Sequence, residues 1–353
     1  MVGIQDVRAA RTVVDRHLER SPLEHSPYLS TLFGAEIHLK LENLRPTRSF
    51  KVRGALNRIS ALDATAHARG VVTASGGNHG QAVAYAAHTL GTSAVVVMPE
   101  TVSPSIVDVC RAYGAEVVLR GAIYDDTVAL AHEIEREQGR TFVHAYGDPL
   151  VIAGQGTIGL EILEDLADVD TVVVPIGGGG LICGIALAIK EGAPRPVRVI
   201  GVEPDGSNNL GRSVAAGRPV TLDAPSSVAL RLVARSTEPL NVELATRYVD
   251  EIVTVDDGAL EAASFEYLDR LSLLVEPAGA ATLAAVRSGK VEPGRRTVLV
   301  VSGGNISADA MAEILAAGAR IGTRSGEGGL RPTEPQGPRQ PAQTESAPGP
   351  GIG

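Results

Sequence analysis

The fold is decided by the stretch Thr171-Val172-Val173-Val174-Pro175-Ile176-Gly177-Gly178-Gly179-Gly180-Leu181. Its β-branched run has the length and composition of a buried strand, and the apolar sequence that follows predicts a helix. A strand that is apolar at successive positions is typical of a parallel sheet covered on both faces. Four glycines before a helix leave backbone N–H groups unobstructed, which favours a phosphate-binding loop over a flexible hinge. No Gly-Lys-Ser/Thr follows, so the loop is not a P-loop.

The same pattern recurs along the chain and predicts an α/β protein with two lobes. Further β-branched runs lie at 71–74, 94–98, 117–119, 197–202 and 297–301, and the pattern restarts after about residue 150. In such sheets, ligands bind beyond the carboxyl ends of the strands. From about Arg324 the sequence becomes rich in Pro, Gly, Gln and Ser, which predicts a disordered tail.

Composition and charge exclude several classes of function. The net charge is −9 and there is no basic run, so no nucleic-acid partner is expected. No apolar stretch reaches membrane-spanning length and no signal peptide is recognised, so we expect no membrane partner and a cytoplasmic location. Cys110 and Cys183 lie in apolar contexts without a zinc pattern and are predicted to be buried free thiols.

Lys51 is the candidate nucleophile among the four lysines of the chain. It stands in Thr47-Arg48-Ser49-Phe50-Lys51-Val52-Arg53-Gly54-Ala55, between hydroxyl groups, an aromatic ring and two arginines. Burial or nearby cations lower the pKa of a lysine and make its amine nucleophilic. An ordinary surface lysine is the alternative interpretation. Lys40 ends an alternating strand-like segment and is predicted to point outward.

Two more glycine loops follow predicted strands. Ser75-Gly76-Gly77-Asn78-His79-Gly80 precedes a helix, and its backbone N–H groups and polar side chains suit a carboxylate, although a strand-to-helix turn is the alternative. In Ser302-Gly303-Gly304-Asn305, Ser302 either faces the nitrogen of a ligand ring or caps the next helix.

A fourth glycine motif has the residue pattern of the dinucleotide-binding fingerprint but lacks the flanking strands that the fingerprint requires. Gly154-Gln155-Gly156-Thr157-Ile158-Gly159 reads G-x-G-x-x-G, but residues 148–153 do not form a clean strand, and the next strand does not end in an acidic residue. A dehydrogenase is therefore a minor alternative.

Lys51, a phosphate loop and a serine that faces a ring nitrogen together describe a pyridoxal 5′-phosphate site. The chain resembles the fold type II pyridoxal-phosphate enzymes, in the group of the serine/threonine dehydratases and serine racemases, over about residues 5 to 318. The resemblance rests on the three loops above, the segment around Lys51, Ser21-Pro22-Leu23, Gly201-Val202-Glu203-Pro204 and Val275-Glu276-Pro277-Ala278-Gly279-Ala280. It implies two open parallel-sheet α/β lobes with the cofactor between them. We expect a large cofactor-binding domain of residues 1–62 and 148–320, a small substrate-side domain of residues 63–147, and a disordered tail of residues 321–353.

The resemblance also implies a role for each site residue. Lys51 holds the cofactor as a Schiff base and takes the α-proton of the substrate. Phe50 packs on the ring, Asn78 binds its phenolic oxygen and Ser302 faces its nitrogen. The phosphate loop consists of Gly177, Gly178, Gly179, Gly180 and Leu181, and the substrate carboxylate is bound by Ser75, Gly76, Gly77, Asn78 and His79. Glu203, Ser207 and Asn209 stand at the ligand positions of a divalent cation, but the family prefers an acidic residue where Asn209 stands, which argues against metal binding.

The implied reaction is β-elimination from a β-hydroxy amino acid such as L-threonine or L-serine, giving a 2-oxo acid and ammonia. The alternatives are a bulkier or anionic substrate, β-replacement, and, outside enzymes, a silent ligand-binding protein. Racemisation is disfavoured because Gly76 stands where the racemases carry serine. The segment 226–235 replaces a family stretch that carries Asp-Gly, either through drift in a tolerant loop or because the side-chain pocket has changed. An inward Arg231 or Arg235 would favour a substrate with an anionic side chain.

The expected partners are the small-molecule amino acid and a second copy of the chain, as a homo-oligomer, most simply a dimer.

Overall fold

The computed structural model of the chain describes residues 2–121 and 124–324. Helices and strands alternate along it, with short 3-10 turns at Glu42–Leu44 and Asp205–Ser207. The strands are β1 (Leu23–His25), β2 (Glu36–Leu41), β3 (Val71–Ala74), β4 (Ala94–Met98), β5 (Glu116–Leu119), β6 (Thr141–Phe142), β7 (Thr171–Pro175), β8 (Arg198–Pro204), β9 (Glu251–Val255) and β10 (Arg296–Val301). The helices are α1 (Ile4–His17), α2 (Pro27–Phe33), α3 (Lys51–Ser60), α4 (Ala64–Arg69), α5 (Asn78–Leu90), α6 (Pro104–Ala112), α7 (Tyr124–Gln138), α8 (Pro149–Asp165), α9 (Gly180–Gly192), α10 (Asn209–Ala216), α11 (Pro239–Tyr248), α12 (Asp257–Leu271), α13 (Pro277–Arg287) and α14 (Ala308–Arg324).

The larger sheet has six strands in the order β1-β2-β10-β7-β8-β9. Only the outer pair β1 and β2 is antiparallel, and all other neighbours are parallel. In the central strands, Val172 and Val298 belong to one apolar core, and Val173 and Leu299 belong to the core on the opposite face. Burial of both faces explains why these strands are continuous apolar runs in the sequence.

The smaller sheet has four parallel strands in the order β5-β4-β3-β6. Strand β4 is also covered on both faces, since Val96 packs in one apolar core and Val95 and Val97 pack in another. The two sheets confirm the prediction of an α/β fold built from parallel-sheet lobes. The loops that follow β3, β7 and β10 carry the three glycine motifs predicted to bind ligand.

The G-x-G-x-x-G stretch lies inside helix α8 and serves helix packing. A Cβ on Gly154 would lie 2.6 Å from Cα of Gly54 in α3, and a Cβ on Gly184 in α9 would lie 2.6 Å from the backbone nitrogen of Gly156. Both distances are too short for a real Cβ, so glycine is required for α8 to lie against α3 and α9. This packing fixes the position of α3, the helix that begins at Lys51.

The prediction that Lys40 points outward is wrong. Its side chain is fully buried, its Nζ lies 2.7 Å from Oε2 of Glu161, and it donates a hydrogen bond to the carbonyl oxygen of Ser21. Arg53 of α3 enters the same buried network and forms ion pairs of 2.8 Å with Glu42 and Glu161. The face of β2 that carries Lys40 is covered by helix α8, which supplies Glu161, and a buried cation requires such anionic partners. The alternation around Lys40 could not reveal a partner in a distant helix.

Three further predictions concern the ends and surface properties of the chain. The prediction that the tail begins at residue 321 is wrong, because residues 321–324 belong to helix α14. The rest of the predicted tail, residues 325–353, lies outside the described residues. Among the described residues, no helix has the length and apolar character needed to span a membrane. Cys110 and Cys183 are buried and free, as predicted.

Candidate active site

Lys51 is the first residue of α3 and lies beside the loop that follows β10. The N–H of Phe50 donates a hydrogen bond of 3.1 Å to the carbonyl oxygen of Ser302, and the N–H of Gly304 donates one of 2.9 Å to the carbonyl oxygen of Arg48. These two backbone bonds hold the entry to α3 against the loop. The structure therefore brings Lys51 and Ser302 together, although they are far apart in the sequence.

The Lys51 amine has the electrostatic surroundings of a nucleophile. Its Nζ donates a hydrogen bond of 2.6 Å to the carbonyl oxygen of Ala145 and lies 5.2 Å from the centroid of the Phe50 ring. Burial lowers the pKa of Lys51 to about 8. Roughly one tenth of the amine is therefore unprotonated at pH 7, a far larger share than in an ordinary surface lysine.

The glycine loop after β7 offers unused hydrogen-bond donors. Side chains fix the backbone of this loop at Gly178. Its carbonyl oxygen accepts hydrogen bonds from Oγ1 of Thr237 at 2.8 Å and from Nδ2 of Asn241 at 2.6 Å. Within the described part of the chain, the backbone N–H groups from Gly177 to Leu181 donate no hydrogen bond outside the ladder of α9. Because α9 begins at Gly180, its positive end and these free donors together fit a phosphate.

The space around this loop excludes side chains. A Cβ on Gly178 would lie 2.4 Å from the Tyr146 ring, and a Cβ on Gly180 would lie 2.7 Å from the carbonyl oxygen of Tyr146. Gly179 has a φ of +99°, a backbone conformation that favours glycine. Tyr146 directly follows Ala145, whose carbonyl accepts the Lys51 hydrogen bond. The segment 145–146 therefore connects the lysine to the glycine loop.

Ser302 presents a hydroxyl group that the described residues do not use. The residue is 4% exposed, at the end of β10. Its carbonyl oxygen accepts the bond from Phe50, but its hydroxyl forms no hydrogen bond among the described residues. The hydroxyl is therefore available to a ligand atom at the end of β10.

The loop after β3 uses most of its side chains within the protein. His79 makes a hydrogen bond of 2.9 Å from its Nε2 to the carbonyl oxygen of Val143. Burial, reinforced by the charge of Lys51, lowers the pKa of His79 to about 3, so the ring is neutral and Nε2 is the donor. The Ser75 hydroxyl accepts a hydrogen bond of 3.2 Å from the Gly77 N–H and keeps its own proton available.

The donors left at this loop belong to the backbone. Among the residues that the structure describes, the N–H groups of Gly76, Asn78 and His79 donate no hydrogen bond, because helix α5 begins at Asn78. Free N–H groups at the start of a helix suit a carboxylate. The donors that remain available at this loop are therefore backbone N–H groups and the Ser75 hydroxyl, whereas the histidine Nε2 is already used.

Asn78 connects the loop to two other parts of the site. Its Nδ2 donates a hydrogen bond of 2.7 Å to Oε1 of Glu276, and its Oδ1 accepts one of 2.7 Å from Nδ2 of Asn305. Asn305 also donates to the carbonyl oxygen of Thr47, four residues before Lys51. The loops after β3 and β10 and the segment that leads into α3 are joined through these amides.

The match of the chain to known proteins agrees with this geometry. The model of the family described as "Pyridoxal-phosphate dependent enzyme" matches residues 14–303. The chain belongs to this family. It is similar to an L-threonine ammonia-lyase of Thermotoga maritima, with 41% identity over 315 residues that cover 89% of this chain and 78% of the relative.

Two solved structures of this pyridoxal-phosphate family have the same fold over most of their length. Maize serine racemase is similar with a TM-score of 0.85 and 32% identity, over 91% of this chain and 99% of that one. The threonine deaminase of T.th. is similar with a TM-score of 0.82 and 40% identity, over 86% of this chain and 99% of that one.

The site of this family member fits pyridoxal phosphate by its own chemistry. The free N–H groups at the start of α9 suit the phosphate, and the unpaired Ser302 hydroxyl suits a ring nitrogen that accepts a hydrogen bond. Lys51 supplies an amine whose pKa is lowered to about 8 by burial. These three features are the ones that the family's cofactor requires.

The predicted metal ligands do not fit a cation site. Both carboxylate oxygens of Glu203 accept hydrogen bonds from the backbone, from the N–H of Leu210 at 2.8 Å and from the N–H of Gly211 at 2.9 Å. The Ser207 hydroxyl donates to the carbonyl oxygen of Leu232, and the Asn209 amide donates to carbonyl oxygens of Gly177 and Ala234. In the described ranges, no group of three or more His, Cys, Asp or Glu side chains could hold a metal ion. The divalent cation receives no support from the structure.

Several residues of the site were given no role from the sequence. Glu276 has one local feature in the sequence, its place directly before Pro277 at the start of α13, and this feature predicts no contact with the site. The sequence gives no indication that Ala145 and Tyr146 belong to the site. Ala145 contributes a backbone carbonyl group, and Tyr146 contributes the bulk that packs against the glycine loop. Arg231 was named as a residue that would matter if it pointed inward. It does so, since its Nη1 donates a hydrogen bond of 3.1 Å to the carbonyl oxygen of Gly76.

Proposed function

We propose that this chain is a pyridoxal-phosphate-dependent ammonia-lyase that removes water from a β-hydroxy amino acid such as L-threonine or L-serine and releases a 2-oxo acid and ammonia. The observation that carries the proposal is the setting of Lys51, whose amine, with a pKa of about 8, is joined through 145–146 to one anion-binding loop and through Asn305 to another. Similar proteins named L-threonine ammonia-lyase and threonine deaminase support the same reaction.

The residues that would hold the cofactor follow from their free donors. The backbone N–H groups from Gly177 to Leu181 would bind its phosphate, and the Ser302 hydroxyl would bind its ring nitrogen. Phe50 and Asn78 would contact the ring and its phenolic oxygen. When bound, pyridoxal phosphate spreads the negative charge that remains after a proton leaves the substrate α-carbon. A serine hydroxyl, unlike a carboxylate, does not keep the ring nitrogen protonated, which favours prompt elimination.

The substrate is oriented by the loop after β3. Its α-carboxylate would accept hydrogen bonds from the N–H groups of Gly76, Asn78 and His79 and from the Ser75 hydroxyl. All four donors lie at the positive end of helix α5, which stabilises an anion further. The bond from His79 to Val143 fixes the start of the helix, so the donors are preorganised before the substrate binds.

Lys51 is the proposed base for the α-proton. Its Nζ accepts the proton from the α-carbon as a neutral amine, and the resulting ammonium can donate to the carbonyl oxygen of Ala145. The bond from the β-carbon to oxygen then breaks, and the hydroxyl leaves as water with a proton that the Lys51 ammonium can give back, so the base is neutral again at the end of the step. Hydrolysis of the released enamine gives the 2-oxo acid and ammonia, so the reaction requires no oxidant.

The proposal includes two domains, each built around one of the two sheets. We assign the large, cofactor-binding domain to residues 1–62 and 148–320 and the small domain to residues 63–147. The membership of the sheets supports this division, since β3 to β6 form the smaller sheet and the other strands form the larger one. The cytoplasmic location and the homo-oligomer remain predictions.

Cofactor attachment and product formation test the proposal together. The purified protein is loaded with pyridoxal phosphate, reduced with borohydride and digested, and the Lys51 peptide is examined by mass spectrometry. In parallel, L-threonine and L-serine are supplied and 2-oxo acid is measured. We expect cofactor mass on Lys51 and release of 2-oxo acid, with both lost in Lys51→Ala. A colourless protein that carries no label on Lys51 would refute the proposal.

A further inference from the structure

Arg231 lies across the opening between the two anion-binding loops. A Cβ on Gly177 would lie 3.2 Å from the carbonyl oxygen of Arg231, so the backbone of this residue borders the phosphate loop. Its guanidinium reaches the other loop, where Nη1 donates a hydrogen bond of 3.1 Å to the carbonyl oxygen of Gly76. A Cβ on Gly77 would lie 2.5 Å from the same Nη1. A long, permanently charged side chain is therefore placed directly over the proposed carboxylate loop.

The segment that carries Arg231 is held in place by its neighbours. Ala229 is buried and its N–H donates to the Ser227 hydroxyl at 3.0 Å, while Leu232 is buried and its N–H donates to the carbonyl oxygen of Ala229 at 2.8 Å. The Ser227 hydroxyl in turn donates to the carboxylate of Asp257 at 2.5 Å. The inward direction of Arg231 thus follows from a backbone that is anchored on both sides of the residue.

The charge of Arg231 is only partly used by the protein. The guanidinium has five N–H donors, and the hydrogen bonds of the described residues use one of them. Its ionic partner is Glu276, with Nε of Arg231 3.8 Å from Oε2, and Oε1 of that carboxylate already accepts the bond from Asn78. Burial raises the pKa of Glu276 to about 7, so its negative charge is incomplete near neutral pH. A surplus of positive charge remains at the mouth of the site.

The surplus charge is not needed for the α-carboxylate of the substrate. Three backbone N–H groups and the Ser75 hydroxyl already serve that group at the start of α5. We propose that Arg231 is a specificity residue that selects β-hydroxy amino acids whose side chain carries a second anionic group, such as the carboxylate of 3-hydroxyaspartate. This inference rests on the proposed elimination function and names the class of substrate for that same site.

The chain offers a matched control in the same segment. Arg235 is exposed, and its Nε donates to the carbonyl oxygen of Leu222. Arg231→Met and Arg235→Met remove the same charge and keep similar bulk, but only the first acts over the carboxylate loop.

The test compares kcat/KM for 3-hydroxyaspartate with kcat/KM for L-threonine in the cofactor-loaded wild-type protein and in both variants. We expect the wild type to prefer 3-hydroxyaspartate. We expect Arg231→Met to lower the ratio of the two values by about 10- to 100-fold, the range of a lost charge-assisted pair, and Arg235→Met to leave the ratio within about threefold. L-aspartate, which lacks a β-leaving group, should inhibit the wild type more strongly than L-2-aminobutyrate, and Arg231→Met should remove that difference.

Two outcomes would overturn the inference alone. If Arg231→Met lowers both kcat/KM values equally, the arginine serves the α-carboxylate or only positions Glu276. If the wild type prefers L-threonine, the arginine does not recruit a second anion. Either result leaves the elimination function standing, because 2-oxo acid is still formed. If neither substrate yields 2-oxo acid, the proposed function fails together with the inference.

Discussion

Asn305 donates a hydrogen bond of 2.7 Å to Oδ1 of Asn78 across a separation of 227 residues. Its second amide proton goes to the carbonyl oxygen of Thr47, at 2.8 Å. One side-chain amide thus joins the loop after β10, the loop after β3 and the segment that leads to Lys51. Because both of its partners are acceptors, position 305 requires a donor with two protons.

The first prediction tests that requirement with Asn305→Ala and Asn305→Asp. Alanine removes two hydrogen bonds, and we expect the affinity for the cofactor to fall about tenfold or more. Aspartate is nearly isosteric but faces two acceptors with a carboxylate, so it should bind the cofactor more weakly than alanine does. The measurement is titration of the apo-protein with pyridoxal phosphate, followed by absorbance. An affinity of Asn305→Asp equal to that of the wild type would show that the amide only fills space.

The second prediction concerns the reactivity of Lys51 toward amine reagents. Burial lowers the pKa of Lys51 to about 8, so in the cofactor-free protein its acetylation by a trace of acetic anhydride should rise with pH to a midpoint near 8. The exposed Lys290 serves as the internal reference for the reagent. Peptide mass spectrometry from about pH 6 to about pH 11, a range that extends past the ordinary pKa of a lysine side chain, gives the two profiles. A Lys51 profile that coincides with that of Lys290 would remove the electrostatic basis for its role as a base.

These residues show what the sequence could and could not reveal. The three glycine loops are predictable because a strand end followed by glycines is a local signal. The loops after β7 and β10 lie at the same edge of the larger sheet, whereas the loop after β3 belongs to the smaller sheet and is joined to the loop after β10 through Asn78. The position of Lys51 followed from its family motif. Asn305 and Ala145 could not be found, since their roles depend on the direction of one amide and one backbone carbonyl in the folded chain.

For Lys40, the local sequence pattern gave a wrong prediction, and the buried contacts of Lys40 and Arg53 explain why. The local pattern predicts that Lys40 points outward, because alternation shows only which residues share a face of the strand. It does not show what packs against that face. The buried network depends on Glu42 and Glu161, which pair with these cations only after β2, α3 and α8 have packed together. Long-range ion pairs in a core leave no periodic signal, and the glycines that permit this packing look like a nucleotide fingerprint.

The third prediction tests the buried network with Arg53→Met. Loss of this guanidinium leaves Glu42 and Glu161 in the core without their main partner, and we expect the free energy of unfolding to fall by about 3–5 kcal/mol. Arg58→Met is the control, since Arg58 belongs to the same helix but pairs with Asp148 at a partly exposed position, where about 1 kcal/mol or less is expected. Urea unfolding gives both values. A loss for Arg53→Met no greater than for the control would contradict the structure.

The fourth prediction concerns stability in acid. Burial alone would raise the pKa of Glu161, but Arg53 and then Lys40 lower it to about 2, against an ordinary value of 4.5. Because the folded pKa is the lower one, the unfolded state binds more protons in this range, and the contribution of Glu161 is complete above pH 4.5 and is lost as the pH falls toward 2. We expect this group to contribute about 3 kcal/mol over that window. Urea unfolding at a series of pH values should show a steeper loss in the wild type than in Glu161→Gln.

The fifth prediction concerns Gly76 and the stereochemistry of the reaction. Racemisation requires a proton donor on the face of the substrate opposite the lysine, and Gly76 has no side chain to supply one. L-serine should therefore give 2-oxo acid without D-serine. A Cβ at this position would lie 3.2 Å from Cδ of Pro99 and 3.4 Å from Cγ2 of Val102, so a small side chain fits after a shift of a few tenths of an ångström.

Gly76→Ser and Gly76→Ala separate the effect of the hydroxyl from the effect of added bulk. Both variants press on Pro99 and Val102 in the same way, so both should lose a similar amount of elimination activity. Only the serine variant carries a group that can deliver a proton, and only it should form D-serine, which chiral chromatography detects. D-serine from the wild type, or equal amounts from the two variants, would mean that the opposing acid is another residue and that Gly76 does not decide the outcome.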